Sequence, residues 1–262
     1  MAFVLSVGKL VEAMKLPGCP VCRRAWQTSN DTMEIFLWEN VNDPDIRGEI
    51  IDAYGFCNYH TRLLASRELS NSGVALGVNI IYEQLGRVVR KELEGLAGSE
   101  KKSYSFSQLF IKKGGRSGRV MPAKDVCPAC KLTQQAVVNT LSTLFESLEK
   151  GVEDLRAAYL ESDRLCFNHL RLGLEHFGER DPKTSKFLID DAVERLDQTS
   201  EDMRAFIRKN NWEYRDEVLT PEENNAWQRM RGFFTGVPGP VFTFRIPQFD
   251  KGEYNGETSD CP

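Results

Sequence analysis

Long apolar runs and an excess of basic residues are both missing from this sequence. The longest apolar stretch, at residues 73–82, is interrupted by Asn79 and is far shorter than the roughly 20 residues that span a bilayer. The formal net charge of −4 argues against a protein whose main task is to coat a nucleic-acid backbone. The first 16 residues show helical spacing of apolar side chains and none of the features of a secretory signal. These absences predict a soluble cytoplasmic protein.

Histidine is also scarce, with three residues, whereas the chain has seven cysteines. Disulfide scaffolds are typical of short secreted chains, so metal or redox chemistry is the better interpretation in a long chain of helical pattern. His176 lies outside the motifs described next, and no serine or cysteine nucleophile can be assigned to it. We therefore interpret it as a solvated histidine near a helix end rather than a general base. Cys261, next to the C-terminus, is interpreted as a free thiol.

A repeat with a period of 108 to 109 residues organises the chain. A Cys-Pro-x-Cys motif at residues 19–22 recurs at residues 127–130, and a Cys-x-x-His motif at residues 57–60 recurs at residues 166–169. The gaps between the two motifs also agree. Cys57 follows Cys22 by 35 residues, and Cys166 follows Cys130 by 36. The agreement of motif, order and spacing indicates two homologous repeats.

Each repeat supplies the four ligands of a Cys3His metal site. This set is an accepted tetrahedral ligand set for zinc and leaves no position for substrate water, so we predict two structural zinc ions. An iron–sulfur cluster and a redox-active dithiol remain the alternatives, since these ligands suit iron as well. A thioredoxin-like site is disfavoured because no convincing strand precedes either motif. We assign the ligands repeat by repeat, with one site formed by Cys19, Cys22, Cys57 and His60 and the other by Cys127, Cys130, Cys166 and His169.

An Asp-x-Arg triplet recurs ahead of each Cys-x-x-His motif. It comprises Asp45 and Arg47 in the first repeat and Asp154 and Arg156 in the second. We predict that these pairs hydrogen-bond to the metal ligands or form ion pairs between helices, in preference to a catalytic role.

The segments between and after the motifs predict helices. From Leu132 to Leu155, apolar residues recur in steps of three and four, which places them on one face of a helix. Further helices are predicted at residues 186–209 and 221–234, and the second of these begins with a capping threonine, a proline and two acids. The predicted fold is all-α, with two homologous helical repeats each closed by a Cys3His site, then C-terminal helices and an irregular tail.

The predicted domain boundaries follow the repeats. The first zinc-binding repeat covers residues 1–100, a basic flexible linker covers 101–124, the second repeat with its helical extension covers 125–234, and an extended tail covers 235–262. Nucleic-acid binding is not expected, except through the basic part of the linker at residues 112–124. The acidic residues of the 186–209 helix are interpreted as a solvated face rather than a carboxylate metal site; they are Asp190, Asp191, Glu194 and Asp197.

These motifs resemble a prokaryotic family of unknown function. The resemblance lies in the two Cys-Pro-x-Cys motifs, in Gly-Phe-Cys-x-x-His at residues 55–60, and in Phe-x-x-Lys-x-x-x-x-x-Arg-x-Glu at residues 206–217. It covers most of the chain and implies bacterial or archaeal origin and tandem metal sites. It brings no established activity with it.

The sequence favours a non-catalytic interaction protein, a subunit or assembly factor of a larger cytoplasmic complex that binds protein partners. The only recognisable chemistry lies in closed metal sites, so we lean against an enzyme. A redox or metal-handling protein that uses the Cys-x-x-Cys pairs is the alternative. A third hypothesis is an enzyme whose site lies between the repeats and uses the two Asp-x-Arg triplets, which fold alone could not establish.

Overall fold

The computed structural model describes residues 2–98, 126–214 and 216–236. Within these ranges the chain forms helices, turns and irregular segments and no strand, so the all-α prediction is confirmed. The linker at residues 101–124 and the tail beyond residue 236 lie outside the described residues. The helices are α1 Ala2–Met14, α2 Pro20–Ile35, α3 Pro44–Asp52, α4 Asn58–Ser72, α5 Leu76–Gly98, α6 Pro128–Glu149, α7 Glu153–Glu161, α8 Phe167–Phe177, α9 Pro182–Lys209 and α10 Pro221–Thr235.

Proline and capping residues set several helix starts. Proline is the first residue of α2, α3, α6, α9 and α10, where its missing N–H would have no intrahelical partner in any case. At α10 the Thr220 side chain accepts a hydrogen bond from the Glu223 N–H, while the Glu223 carboxylate accepts one from the Thr220 N–H. This capping box confirms the predicted start of α10. Helix α9 begins four residues earlier than predicted, because Asp181 caps it through the Thr184 N–H.

The chain divides into two compact units that differ from the predicted domains. Unit 1 contains the described parts of residues 1–28 and 133–245, and unit 2 contains those of residues 29–132. The boundaries fall inside α2 and α6, so the first nine residues of α2 and the first five of α6 belong to one unit and the rest of each helix to the other. Each unit therefore takes its Cys-Pro-x-Cys motif from one repeat and its Cys-x-x-His motif from the other.

Each unit has its own apolar core. In unit 1 the predicted stripe of α6 is buried, with Leu141 and Leu144 fully covered and packed with Leu155 and Leu188. In unit 2 the core is smaller and includes Met33. Burying each of these large aliphatic side chains contributes about 1.5–3 kcal/mol, which holds the helix ends in place around the motifs.

No helix within the described residues is both long enough and apolar enough to cross a membrane.

Candidate metal centres

All eight predicted ligands lie in the first turns of four helices. In each motif the first cysteine immediately precedes the helix, and its carbonyl oxygen accepts the first intrahelical hydrogen bond, for example from the Arg23 N–H to Cys19 and from the Thr61 N–H to Cys57. The second ligand follows three positions later, on the same side of the first turn. The positive end of a helix dipole stabilises nearby negative charge, so this placement favours thiolates.

Centre 1, in unit 1, joins the starts of α2 and α8. Its ligands are Cys19, Cys22, Cys166 and His169. The Nδ1 atom of His169 lies 3.5 Å from the Cys19 Sγ, 3.3 Å from the Cys22 Sγ and 3.3 Å from the Cys166 Sγ. The Sγ atoms of Cys22 and Cys166 are 3.9 Å apart.

Centre 2, in unit 2, joins the starts of α4 and α6. Its ligands are Cys57, His60, Cys127 and Cys130. The Nδ1 atom of His60 lies 3.3 Å from the Cys57 Sγ, 3.7 Å from the Cys127 Sγ and 3.4 Å from the Cys130 Sγ. The Sγ atoms of Cys130 and Cys57 are 3.6 Å apart.

These spacings fit four ligands around one metal ion. A tetrahedral ion with metal–sulfur bonds of about 2.3 Å and metal–nitrogen bonds of about 2.0 Å separates sulfur atoms by about 3.8 Å and sulfur from nitrogen by about 3.5 Å. Sulfur atoms 3.6 and 3.9 Å apart are too distant for a disulfide, whose bond is about 2.05 Å. Within each centre the ligand atoms all lie within 4.8 Å of one another. Both clusters are therefore candidate metal-binding sites.

The ligand residues were predicted, but their assignment repeat by repeat is wrong. Cys19 and Cys22 do not share a centre with Cys57 and His60, because each centre combines motifs from both repeats. The reason lies in helix length. From Pro20 to Asn40, α2 and the π-helical turn Phe36–Asn40 are together about 31 Å long, whereas the nine residues of α3 span only about 14 Å, so α3 alone cannot bring the chain back to the start of α2. The same holds in the second repeat, where α6 is long and α7 is short.

In each centre, neighbouring residues lower the pKa of one cysteine below its ordinary value. Burial alone would raise the pKa of the Cys19 thiol, but its contacts with Cys166, Cys22 and His169 outweigh burial and lower that pKa well below its ordinary value. Burial opposes charge on His169, yet the thiols of Cys166 and Cys19 raise its pKa to about 10. At centre 2, His60 likewise lowers the pKa of Cys127 against the effect of burial. A bound cation would supply positive charge next to these thiols in place of a proton.

The two centres are supported by different neighbours. At centre 2, the Nε2 atom of His60 lies 3.3 Å from the Ser29 hydroxyl, the kind of contact that fixes a ligating imidazole. At centre 1, Arg195 of α9 donates to the carbonyl oxygens of Asp163 and Leu165 and so holds the segment that leads into Cys166. Neither Ser29 nor Arg195 belongs to a motif, so neither could be recognised from the sequence as a neighbour of a metal site.

Gly236 closes centre 1 at the end of α10. Its φ is +67°, and a Cβ at this position would lie 2.8 Å from the Sγ atoms of both Cys22 and Cys166. Such a distance is well inside van der Waals contact, so only glycine fits here. A helix-ending glycine could have been recognised in the sequence, but its contact with sulfur atoms 70 and 214 positions away could not.

The Asp-x-Arg residues have partners other than the metal ligands. Arg47 donates from Nε to Gln84 of α5, and the Arg156 guanidinium lies over the Phe187 ring. The two arginines therefore contact neighbouring helices of their own units.

The solvated face predicted for α9 is only partly solvated. Asp191 is buried and lies near Arg164 and Arg195, with its Oδ1 atom 3.1 Å from the Arg164 Nε and its Oδ2 atom 3.7 Å from the Arg195 Nε. Burial raises the pKa of Asp191, and the two arginines oppose that rise. Asp190, in contrast, forms an exposed pair with Lys186.

A family of unknown function, DUF6062, matches residues 9–237. The chain belongs to this family. The predicted resemblance to an uncharacterised family is thereby confirmed, and the family match ends one residue beyond the glycine that closes centre 1.

Among curated proteins, the chain is similar to the "Uncharacterized 23.9 kDa protein in xynA 3'region" of Caldicellulosiruptor sp. (strain Rt8B.4). The two are 23% identical over 228 residues, which cover 87% of this chain and all of the relative. No solved structure matches the chain significantly.

Proposed function

We propose that this DUF6062 protein is a zinc-stabilised helical interaction protein, acting as a non-catalytic subunit or assembly factor of a larger cytoplasmic complex. The observation that carries the proposal is the pair of four-ligand clusters, each built from two helix starts. In both, the ligands come from segments far apart in the sequence, so a metal ion would join segments that the chain itself leaves separate.

Zinc is the metal that the ligand set favours. Three thiolates and one imidazole form a common structural zinc set, and with four protein ligands no coordination position stays open for a substrate. A cluster with several iron atoms would distribute its ligands over different irons and would need wider spacing than the 4.8 Å limit found in each centre. The closed geometry also supports a structural role over redox cycling, which would require a thiolate to leave the metal.

Exposed tryptophans support a role in binding other proteins. Trp38 and Trp212, in different units, have exposed fractions of 76% and 77%. Tryptophan is enriched in the central residues of protein interfaces, where it contributes a large apolar area at a low entropic cost. Their exposure suggests a protein partner at one or both positions.

The metal proposal is tested by elemental analysis and an absorption spectrum of protein purified without added metal and without air. We expect about two zinc ions per chain and no visible band. Cys22→Ser and Cys130→Ser should each remove one of the two ions, whereas Cys261→Ser, outside both clusters, should leave two. Iron with a broad visible band would refute the zinc assignment and favour the redox alternative.

The interaction proposal is tested by native purification from the source cells. A partner that binds through the tryptophans should be lost from the Trp38→Ser or Trp212→Ser protein. The neighbouring exposed acids offer matched controls, since Glu34→Ser and Glu213→Ser change the same surfaces without removing an indole. A monomeric protein that copurifies with nothing, or with the same partners in all variants, would contradict the proposal.

A further inference from the structure

A cavity of about 480 Å³ lies beside centre 1, within unit 1. It is bounded by the segment before α8, by the C-terminal half of α9 and by α10, and two metal ligands, Cys19 and Cys166, form part of its wall. Cavities that hold small organic ligands typically measure about 300–1,000 Å³. The size therefore suits a metabolite rather than a single water or ion.

The charged residues that line this cavity are mainly arginines. Among the lining residues, Asp163 is the single carboxylate, and its Oδ2 atom already accepts a hydrogen bond from the Gly18 N–H. The cationic lining residues come from the segment before α8, from α9 and from α10; they are Arg164, Arg195, Arg229 and Arg231.

Acidic residues outside the lining balance only part of this charge. Arg164 and Arg195 share one carboxylate, that of Asp191. Arg229 forms an ion pair with Asp202. In the part of the chain that the structure describes, Arg231 has no carboxylate partner, and its guanidinium lies over the Trp227 ring. The cavity wall thus carries more positive charge than its neighbours neutralise.

Neutral polar side chains complete the lining. Gln198 and Thr199 of α9 and Gln228 of α10 offer donors and acceptors alongside the apolar Leu196 and Phe233. A few polar groups in a partly apolar wall are typical of sites that orient a small organic molecule. Guanidinium groups recognise carboxylate and phosphate groups through paired N–H donors.

We propose that this cavity binds a small organic anion, one that carries a carboxylate or a phosphate group, next to centre 1. The anion would neutralise the excess charge of the arginines, and its uncharged part would contact the glutamines and the apolar wall. The cavity shares the Cys19 and Cys166 part of its wall with centre 1, but the proposal does not require that the metal be zinc.

The test is isothermal titration of the full-length protein, purified with its metal, against two probes at constant ionic strength. Glutarate represents carboxylates and ribose 5-phosphate represents phosphates. We expect at least one probe to bind once per chain, with a Kd below about 1 mM. Binding of glutarate alone identifies a carboxylate site, and binding of ribose 5-phosphate alone identifies a phosphate site. Absence of binding by both would overturn the proposal.

Variants locate the bound probe. Arg231→Gln should weaken binding at least about tenfold, since it removes a charged donor. Gln198→Trp should abolish binding by filling the cavity from an exposed position that does not change the charge. Arg171 is an exposed residue of α8 that pairs with Glu175 and does not line the cavity, so the Arg171→Gln protein should bind the probe as the wild type does.

Helicity and metal content confirm that each variant is folded. Binding that survives both cavity substitutions would place the anion elsewhere and refute the proposal.

Discussion

Centre 1 and centre 2 have the same ligand set at the same helix positions, yet their surroundings differ. Centre 1 lies against the C-terminal helices, with Gly236 pressed on two of its sulfur atoms and Arg195 holding the segment before Cys166. Centre 2 has no equivalent of α10 among the described residues, and its histidine contacts Ser29 instead. A duplicated motif therefore fixes the ligands, while the neighbours that support them have diverged.

The largest expected effect distinguishes the two ways of grouping the ligands. Removing two ligands of one centre, with Cys22→Ser and His169→Ala, should leave one metal ion per chain. Removing one ligand from each centre, with Cys22→Ser and His60→Ala, should leave none, because structural zinc contributes on the order of 10 kcal/mol that a three-ligand site cannot retain. Elemental analysis after dialysis gives the counts. Grouping by repeat would give the reverse result, so the outcome decides between the two.

The next effect isolates the contact that only centre 1 has. Gly236→Ala places a methyl group against the Sγ atoms of Cys22 and Cys166 and should lower the free energy of unfolding of unit 1 by about 2–4 kcal/mol. Gly151→Ala is the matched control in the same unit, since Gly151 also has positive φ but no atom within 4 Å of the added Cβ. Gly151→Ala should lower the free energy of unfolding by only about 1 kcal/mol. Thermal unfolding measures both, and equal losses would mean that the sulfur contact contributes nothing.

A smaller effect concerns the segment that precedes Cys166. Arg195→Gln removes the donors to Asp163 and Leu165 and should destabilise the protein by about 2 kcal/mol, close to two hydrogen bonds. Lys186→Gln, on the same helix, breaks an exposed pair with Asp190 and should change stability by less than about 0.5 kcal/mol. Urea unfolding monitored by circular dichroism provides the comparison. If Arg195→Gln left the free energy of unfolding unchanged, the segment would hold its conformation without the arginine.

The smallest effect tests the support of centre 2. Ser29→Ala removes the hydroxyl next to the His60 Nε2 atom and should weaken metal binding at centre 2 about tenfold, with little change at centre 1. Ser29→Thr retains the hydroxyl and should restore most of the affinity. Competition with a colorimetric chelator measures the two sites as separate phases of metal release. If Ser29→Thr bound metal as weakly as Ser29→Ala, the effect of Ser29 would come from packing rather than from a hydrogen bond to His60.

Sequence reasoning succeeded where the chemistry is local. Cysteine and histidine in fixed short motifs identify ligands, the apolar steps of α6 identify a buried face, and the Thr220 capping box identifies a helix start. It failed where two distant segments must be matched. Either Cys-Pro-x-Cys motif forms a Cys3His set with either Cys-x-x-His motif, so the pairing depends on which helix starts the fold brings together. The burial of Asp191 was missed for a similar reason, since Arg164 becomes its neighbour only when the segment before α8 folds against α9.

The grouping of ligands also creates an ordering problem during synthesis. The centre 2 ligands, at residues 57–130, are nested inside those of centre 1, at residues 19–169, so centre 1, if it formed before centre 2, would close a loop about twice as long, at an additional entropic cost of about 0.6 kcal/mol. The first four ligands to leave the ribosome are Cys19, Cys22, Cys57 and His60, which do not share a centre. Metal captured before residue 127 emerges would therefore join the wrong helix starts. If the centres hold metal, correct assembly would require either late metal loading or exchange of thiolates once the second repeat has been made.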